Sequence, residues 1–213
     1  MSIEVNADIS HRKIGKFNNL VIDYTKDDPL EDWSLNDVFE CLNSAMALNI
    51  QNLEISTLIY RHLKYDNNNS KKVKNIILQN GAHIVPWLFG VKARIKNIQK
   101  TFKFSSQYPK NCKVYFILLN LDRETPQPWG LYIGETFQKV ERRFSEHTDP
   151  TNKRRSRHVC KRGWQILYSL TSFLPSMTRS DAQKFEKACL ASLRGELKYK
   201  TIKGLTKSRI KGG

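Results

Sequence analysis

No run of eighteen apolar residues occurs in the 213-residue chain, so a membrane-spanning helix is not expected. The opening stretch, MSIEVNADISHRK, has no signal-type apolar core. A basic amphipathic helix with a broad aromatic face is also missing. These absences lead to the expectation of a cytoplasmic protein with no membrane partner, nucleoid-associated if bacterial. Cysteine is scarce: Cys41, Cys112, Cys160 and Cys189 are scattered and form no C-x-x-C pair. They read as reduced thiols of a reducing compartment. His158-x-Cys160 lacks a second pair at zinc spacing, which argues against a zinc site.

Acidic residues are in short supply too: 20 Asp and Glu face 36 Lys and Arg, for a net charge of +16. The surplus is uneven. Residues 1–105 carry 14 basic and 11 acidic residues, whereas residues 106–213 carry 22 and 9. A polyanion partner for the C-terminal half follows. With 39% hydrophobic residues, ten Phe, eight Tyr and four Trp, the chain has the means to bury a core and is not disordered by composition.

Residues 1–32 hold one short apolar run, Leu20-Val21-Ile22, and read as an arm or irregular lead-in. Ser34 is placed to cap a helix with Leu35, Val38, Leu42, Ala45 and Met46 on one face. A second helix is expected over about 52–64, where the periodicity is poor. YDNNNS reads as a loop, Ser70 as the start of a third helix, and Asn80-Gly81 as its end. Pro86 suits the first turn of a fourth helix running to about 101, with Val91, Ile95 and Ile98 inward and Lys92, Arg94, Lys96 and Lys100 polar. The character changes at SSQYPKN, so the expected division is a helical region 1–105 and a second domain 106–213. There KVYFILLNL and GLYIGET read as two strands of a hairpin joined by the turn-rich DRETPQPW. A helix follows over about 137–147, then the basic stretch KRRSRHVCKR, then a strand GWQILYSL. The pair Ser180-x-x-Gln183 marks a capping box for a last helix over 181–194, and the basic tail KYKTIKGLTKSRIKGG ends the chain.

The order of elements is informative: a strand with Tyr115, a strand carrying Tyr132-Ile133-Gly134, a helix with Arg143 and His147 four apart, a third strand, and a helix with Glu186. On a wheel with Phe185 at zero, Ala182, Cys189, Leu193 and Leu190 fall between about 40° and 140°, and Glu186 at about 100° lies among them. A carboxylate in that sector is expensive unless it is paired or binds a cation. This constellation resembles the GIY-YIG nuclease superfamily over about residues 112–194. Lys113-Val114-Tyr115 keeps only the tyrosine of the first motif, while Tyr132-Ile133-Gly134 is a complete match to the second. The connection between the tyrosines is longer than is usual in the family, and no asparagine follows Asn152, where the family tends to carry one after the glutamate helix.

The resemblance implies an α+β fold, with a small three-stranded antiparallel sheet flanked by helices after the helical N-terminal region. It implies Tyr115 as general base, Tyr132 as a hydrogen-bonding partner of nucleophile or phosphate, His147 as a proton relay or phosphate-positioning group, and Glu186 as metal ligand. The cation would be Mg²⁺, or another divalent ion such as Mn²⁺. An ordinary phenol has a pKa of ~10, so neighbouring positive charge is expected to lower that of Tyr115. The segment after Y-I-G is one residue longer than usual, leaving Arg142 or Arg143 as the catalytic arginine. On the wheel, Arg142 lies about 165° and Arg143 about 95° from a stripe formed by Phe137, Val140 and Phe144, which favours Arg143 at the flank of the buried face.

Lys153, Arg154, Arg155, Arg157, Lys161 and Arg162 are expected to clamp the phosphate backbone. Trp129 and Trp164 are expected to pack on the sheet rather than stack on bases. The function this supports is a metal-dependent endonuclease acting on double-stranded DNA, of restriction rather than homing or repair type, working as a homodimer or higher oligomer because each site cuts one strand. The alternatives are a non-catalytic nucleic-acid-binding protein on the same scaffold, for which residues 70–101 offer a loose helix-turn-helix, or a homing or repair nuclease.

Overall fold

The computed structural model describes residues 16–17, 20–48, 52–121, 129–153 and 155–193, and divides into two compact units, 1–86 and 87–213. In the first unit, β1 (Lys16–Phe17) and β2 (Leu20–Val21) pair antiparallel. The segment after them is not a loose arm: Ile22, Tyr24 and Leu30 are buried in the unit's core. Ser34 and Asp37 then cap α1 (Leu35–Leu48) reciprocally. The Asp37 carboxylate accepts from the Ser34 backbone N–H, and the Ser34 hydroxyl accepts from the Asp37 N–H, both at 3.2 Å.

Helix α2 (Asn52–His62) explains the poor periodicity of its sequence, because all eight residues from Asn52 to Ile59 are buried. A helix covered on every side shows no apolar stripe. Helix α3 (Asn67–Gln79) begins three residues before Ser70. The Asp66 carboxylate accepts from the backbone N–H groups of Asn68 and Asn69, so most of YDNNNS is a capped helix start rather than a loop. Gly81, at φ 66°, supplies the left-handed residue that ends it.

Helix α4 (Leu88–Thr101) belongs to the second unit. Leu88, Val91 and Ile95 are buried, as is Lys92. The Arg94 guanidinium donates to the Ser192 carbonyl at 3.1 Å. Compact packing therefore starts the second unit at residue 87, ahead of the change in sequence character near 105. The helices α3 and α4, which the loose helix-turn-helix would need together, fall in different units. Counted by unit, residues 1–86 carry nine basic and eleven acidic residues, net −2, and residues 87–213 carry 27 and nine, net +18.

The sheet of the second unit has the order β4-β3-β5, with β3 (Lys113–Asn120), β4 (Trp129–Thr136) and β5 (Gly163–Ile166) antiparallel. Between β4 and β5 lie α5 (Val140–Thr148) and α6 (Arg157–Arg162), so the basic stretch expected as a loop contains a short helix. The third strand is shorter than GWQILYSL, since Tyr168–Thr171 turns into α7. The last helix, α8 (Arg179–Leu193), starts with the Thr178 hydroxyl accepting from the Asp181 N–H at 3.1 Å, two residues before the expected Ser180 box. Residues 122–128 of the hairpin connection and the tail from 194 lie outside the described residues.

Because α4 buries three large apolar side chains within the second unit, a fragment 87–213 should melt cooperatively. A fragment 106–213 should be less stable by about 5 kcal/mol, at ~1.5–3 kcal/mol per buried aliphatic side chain. Urea unfolding followed by circular dichroism checks this; equal stability of the two fragments would place α4 outside the unit.

Candidate active site

Tyr115 stands opposite Gly134 in the β3–β4 ladder, and Ile117 opposite Tyr132. Directly opposed residues share a face of the sheet. Tyr115 and Tyr132 accordingly sit in one cluster with Ile117, Leu119, Val140, Val159 and Ile166. A β-carbon on Gly134 would lie 2.8 Å from the Tyr115 hydroxyl oxygen and 2.9 Å from a Tyr132 ring carbon. The glycine of Y-I-G is thus the bare backbone over which the Tyr115 phenol lies.

His147 is fully buried on α5. Its Nδ1 accepts from the Ser156 backbone N–H at 2.8 Å, and its Nε2 is 2.8 Å from the Tyr115 hydroxyl. Burial, and secondarily the charge of Arg143, lowers the imidazole pKa to about 4. The ring is therefore neutral at pH 7. An amide N–H can only donate, so Nδ1 is the acceptor and Nε2 carries the proton. His147 donates to the Tyr115 oxygen, which leaves the Tyr115 hydroxyl proton for Tyr132, within hydrogen-bonding reach. The Ser156 side chain lies within hydrogen-bonding reach of Tyr132. With both ring nitrogens engaged inside the protein, His147 has no atom free to position a phosphate.

Burial raises the Tyr115 pKa well above 10, with Tyr132 adding to the rise; Arg143 opposes it without prevailing. The expected lowering by positive charge is therefore corrected: desolvation outweighs the single guanidinium, and Tyr115 is a neutral phenol in the free protein. Burial likewise takes Tyr132 up to about 12.

The two arginines differ sharply in setting. The Arg143 side chain is 18% exposed, pairs with Glu146 at 2.9 Å, and lies within hydrogen-bonding reach of Tyr115. The Arg142 side chain is 74% exposed and approaches Glu146 only at 3.7 Å. Phe137, used above to define the stripe, precedes α5 and is half exposed. Val140 alone of the three stripe residues is buried.

Glu186 is 7% exposed on α8, among Ala182, Phe185, Cys189 and Leu190. No Lys, Arg or His among the described residues forms an ion pair with it. Burial, and then the neighbouring Glu135, raises its pKa to about 7, against a weaker opposing effect of Lys187. No group of three or more His, Cys, Asp and Glu able to hold a metal occurs among the described residues. A single orphaned carboxylate nonetheless fits a hard, largely hydrated divalent cation, which keeps most of its water ligands.

Lys153, Arg155, Arg157, Lys161 and Arg162 are all exposed, while Arg154 lies outside the described residues. Three residues of this region were not singled out by sequence. Ser156, hidden in the basic run, fixes the His147 tautomer through its peptide N–H, and an N-cap serine ahead of α6 is the one signal it gives. Glu146 holds Arg143, at the helix spacing of an i,i+3 pair. Glu135, next to Gly134, accepts from the Cys112 thiol at 3.1 Å. Trp129 is buried and Trp164 is partly exposed, their rings 5.8 Å apart.

Residues 112–199 match the family model described as the GIY-YIG catalytic domain. The C-terminal half of the chain thus carries a nuclease-type domain, which implies phosphodiester hydrolysis and a nucleic-acid substrate; nucleases with this domain generally use divalent metal ions. No curated protein and no solved structure matches the chain. Among the described residues no helix is long and apolar enough to cross a membrane.

The histidine yields a test by acid. Its folded pKa lies below the ~6.5 of an unfolded chain, so unfolding takes up a proton between pH ~6.5 and 4. The stability it contributes is complete above pH ~6.5 and is lost as pH falls towards 4. Between pH 7 and 4.5 the wild type should lose on the order of 2 kcal/mol more than His147→Gln, read from urea midpoints. Parallel acid profiles would mean the imidazole is not held neutral.

Proposed function

We propose that the chain is a metal-dependent endonuclease that hydrolyses phosphodiester bonds of double-stranded DNA, of restriction type. The observation that carries this is Glu186: a nearly buried carboxylate without a cationic partner among the described residues, in a unit of net charge +18. A purely structural binder of polyanions has no use for such a group. Mg²⁺ or a similar ion such as Mn²⁺, held by Glu186 and water, would polarise a phosphate oxygen and stabilise the departing 3′-oxygen.

The other residues take roles that follow from their contacts. Arg143 exchanges Glu146 for the phosphate and offsets charge developing on it, which suits a planar guanidinium. Tyr115 accepts the proton of the attacking water after passing its own proton on. That proton goes to Tyr132, which releases its own hydroxyl proton to solvent water entering with the substrate, because His147 Nε2 already carries one. His147 then acts as a positioning residue: its N–H holds the Tyr115 oxygen and stabilises the phenolate. The exposed cations of residues 153–162 grip the backbone in a salt-dependent way.

Residues 1–105 are assigned to recognition or oligomer formation, and 106–213 to catalysis, with α4 bracing the catalytic part. The formal charge of −2 on residues 1–86 favours oligomer formation over phosphate contact for that unit. Two copies would bring two sites to the two strands.

Purified protein incubated with varied duplex DNAs, with Mg²⁺ or with chelator, should produce metal-dependent ends. Glu186→Gln should abolish cleavage while binding stays equal or tightens, because a negative charge facing the phosphate is removed. Metal-dependent cleavage by this variant at the wild-type rate would sink the assignment.

Arg143→Ala should cost ~2–4 kcal/mol of transition-state stabilisation, the range for a lost charge-stabilising donor. Arg142→Ala should mainly weaken binding and flatten its salt dependence. Single-turnover rates beside binding isotherms separate the two; the reverse pattern would exchange the roles of the two arginines.

A further inference from the structure

Phe137 is a large aromatic side chain left 50% exposed between β4 and α5. The Arg179 guanidinium carbon lies 5.2 Å from the centre of its ring. The same guanidinium approaches Glu135 Oε1 at 3.8 Å, while Glu135 Oε2 holds the Cys112 thiol. The pair borders the site described above. Glu135 directly follows Gly134, and Arg179 precedes Glu186 by seven residues on α8. Seven residues return to within about 20° of the same helix face, about 10 Å along the axis.

None of these features serves the fold well. A cation in the first turn of a helix opposes the helix dipole. A half-exposed ring forgoes about half of the benefit of burial. A 3.8 Å ion pair between partly exposed groups contributes little. A strand of nucleic acid accounts for all three, since a guanidinium suits a phosphate and an aromatic ring suits a base.

We propose that Phe137 and Arg179 form a strand-holding platform beside the scissile phosphate, with Arg179 on a backbone phosphate and Phe137 stacked on an unpaired DNA base. At ~3.4 Å of rise per nucleotide, the 10 Å along α8 places that phosphate about three nucleotides from the Glu186 side chain. Within a paired duplex each base face is covered by its neighbours, so the ring selects DNA with an unpaired nucleotide near the cut. Blunt duplex is held by Arg179 without the ring. The inference rests on the nuclease reading above and adds a preference among DNA substrates to it.

The test uses full-length protein in chelator, with a labelled blunt duplex and the same duplex bearing a single-stranded tail. Arg179→Ala should weaken binding to both and reduce the slope of log K against log salt by about one. Phe137→Leu should weaken the tailed duplex about tenfold or more, by the loss of one stacked base, and leave the blunt duplex within about twofold. Phe137→Trp should restore tailed binding. Both positions are half exposed, so melting temperatures should stay unchanged. Equal effects of Phe137→Leu on the two DNAs, or an unchanged salt slope for Arg179→Ala, would overturn the platform while wild-type binding and Mg²⁺-dependent cleavage left the nuclease reading intact. A wild type that neither binds nor cleaves any DNA would remove that reading, and the platform with it.

Discussion

The closest constraint in the catalytic unit is the contact between the Tyr115 phenol and the bare backbone of Gly134. It fixes two things together. The β3–β4 register must place residue 115 against residue 134, because a slip of one residue would turn Tyr115 to the other face of the sheet. Position 134 must also be glycine, because any β-carbon would fall within 3 Å of the phenol. Laid across that strand, the Tyr115 oxygen comes within hydrogen-bonding reach of Tyr132, Arg143 and His147 at once. The donor directions follow from one amide, the Ser156 N–H, whose fixed polarity propagates through His147 to Tyr115 and on to Tyr132.

Much of this was legible where local chemistry and tertiary packing agree. The strands of KVYFILLNL and GLYIGET form because Val, Ile, Tyr and Phe suit a sheet buried on both faces. Ser34 caps α1 because Asp37 stands three residues on to answer it. Sequence was less informative where burial is uniform or where a partner is remote. Helix α2 shows no stripe because its first eight residues are buried on every side. Lys92, polar by composition, is buried on α4. The shortening of the third strand depends on Leu167 and its successors turning into α7, and no residue type there announces it.

The site itself divides along the same line. The placing of Glu186 among apolar neighbours follows from helix spacing alone, since 182, 186, 189, 190 and 193 recur on one side of any helix. The preference for Arg143 over Arg142 rests on a wheel that includes Phe137, a residue outside the helix. The two arginines do differ in burial as the wheel suggests, because Val140 still orients α5. What spacing could not supply is the hydrogen-bond polarity at Tyr115. That depends on the Ser156 backbone, nine residues from His147, and a backbone amide has no signature in the sequence.

Charge pairing around the site explains why Glu186 is left without a counter-cation in so basic a unit. Arg143 is engaged by Glu146 and Tyr115, and Arg179 by Glu135. Lys184 and Lys187 lie exposed on α8, away from the face that carries Phe185 and Cys189. Both of these guanidinium groups therefore have an acid beside them, and Glu135 raises the Glu186 pKa by repulsion. Two carboxylates, one buried and one tied to a thiol and an arginine, are costly to keep together in a free protein. For the cation proposed above, entry would relieve the repulsion between the two acids. On the proposed reading of Glu186 as a metal ligand, the cost of holding it unpaired would become affinity for a cation.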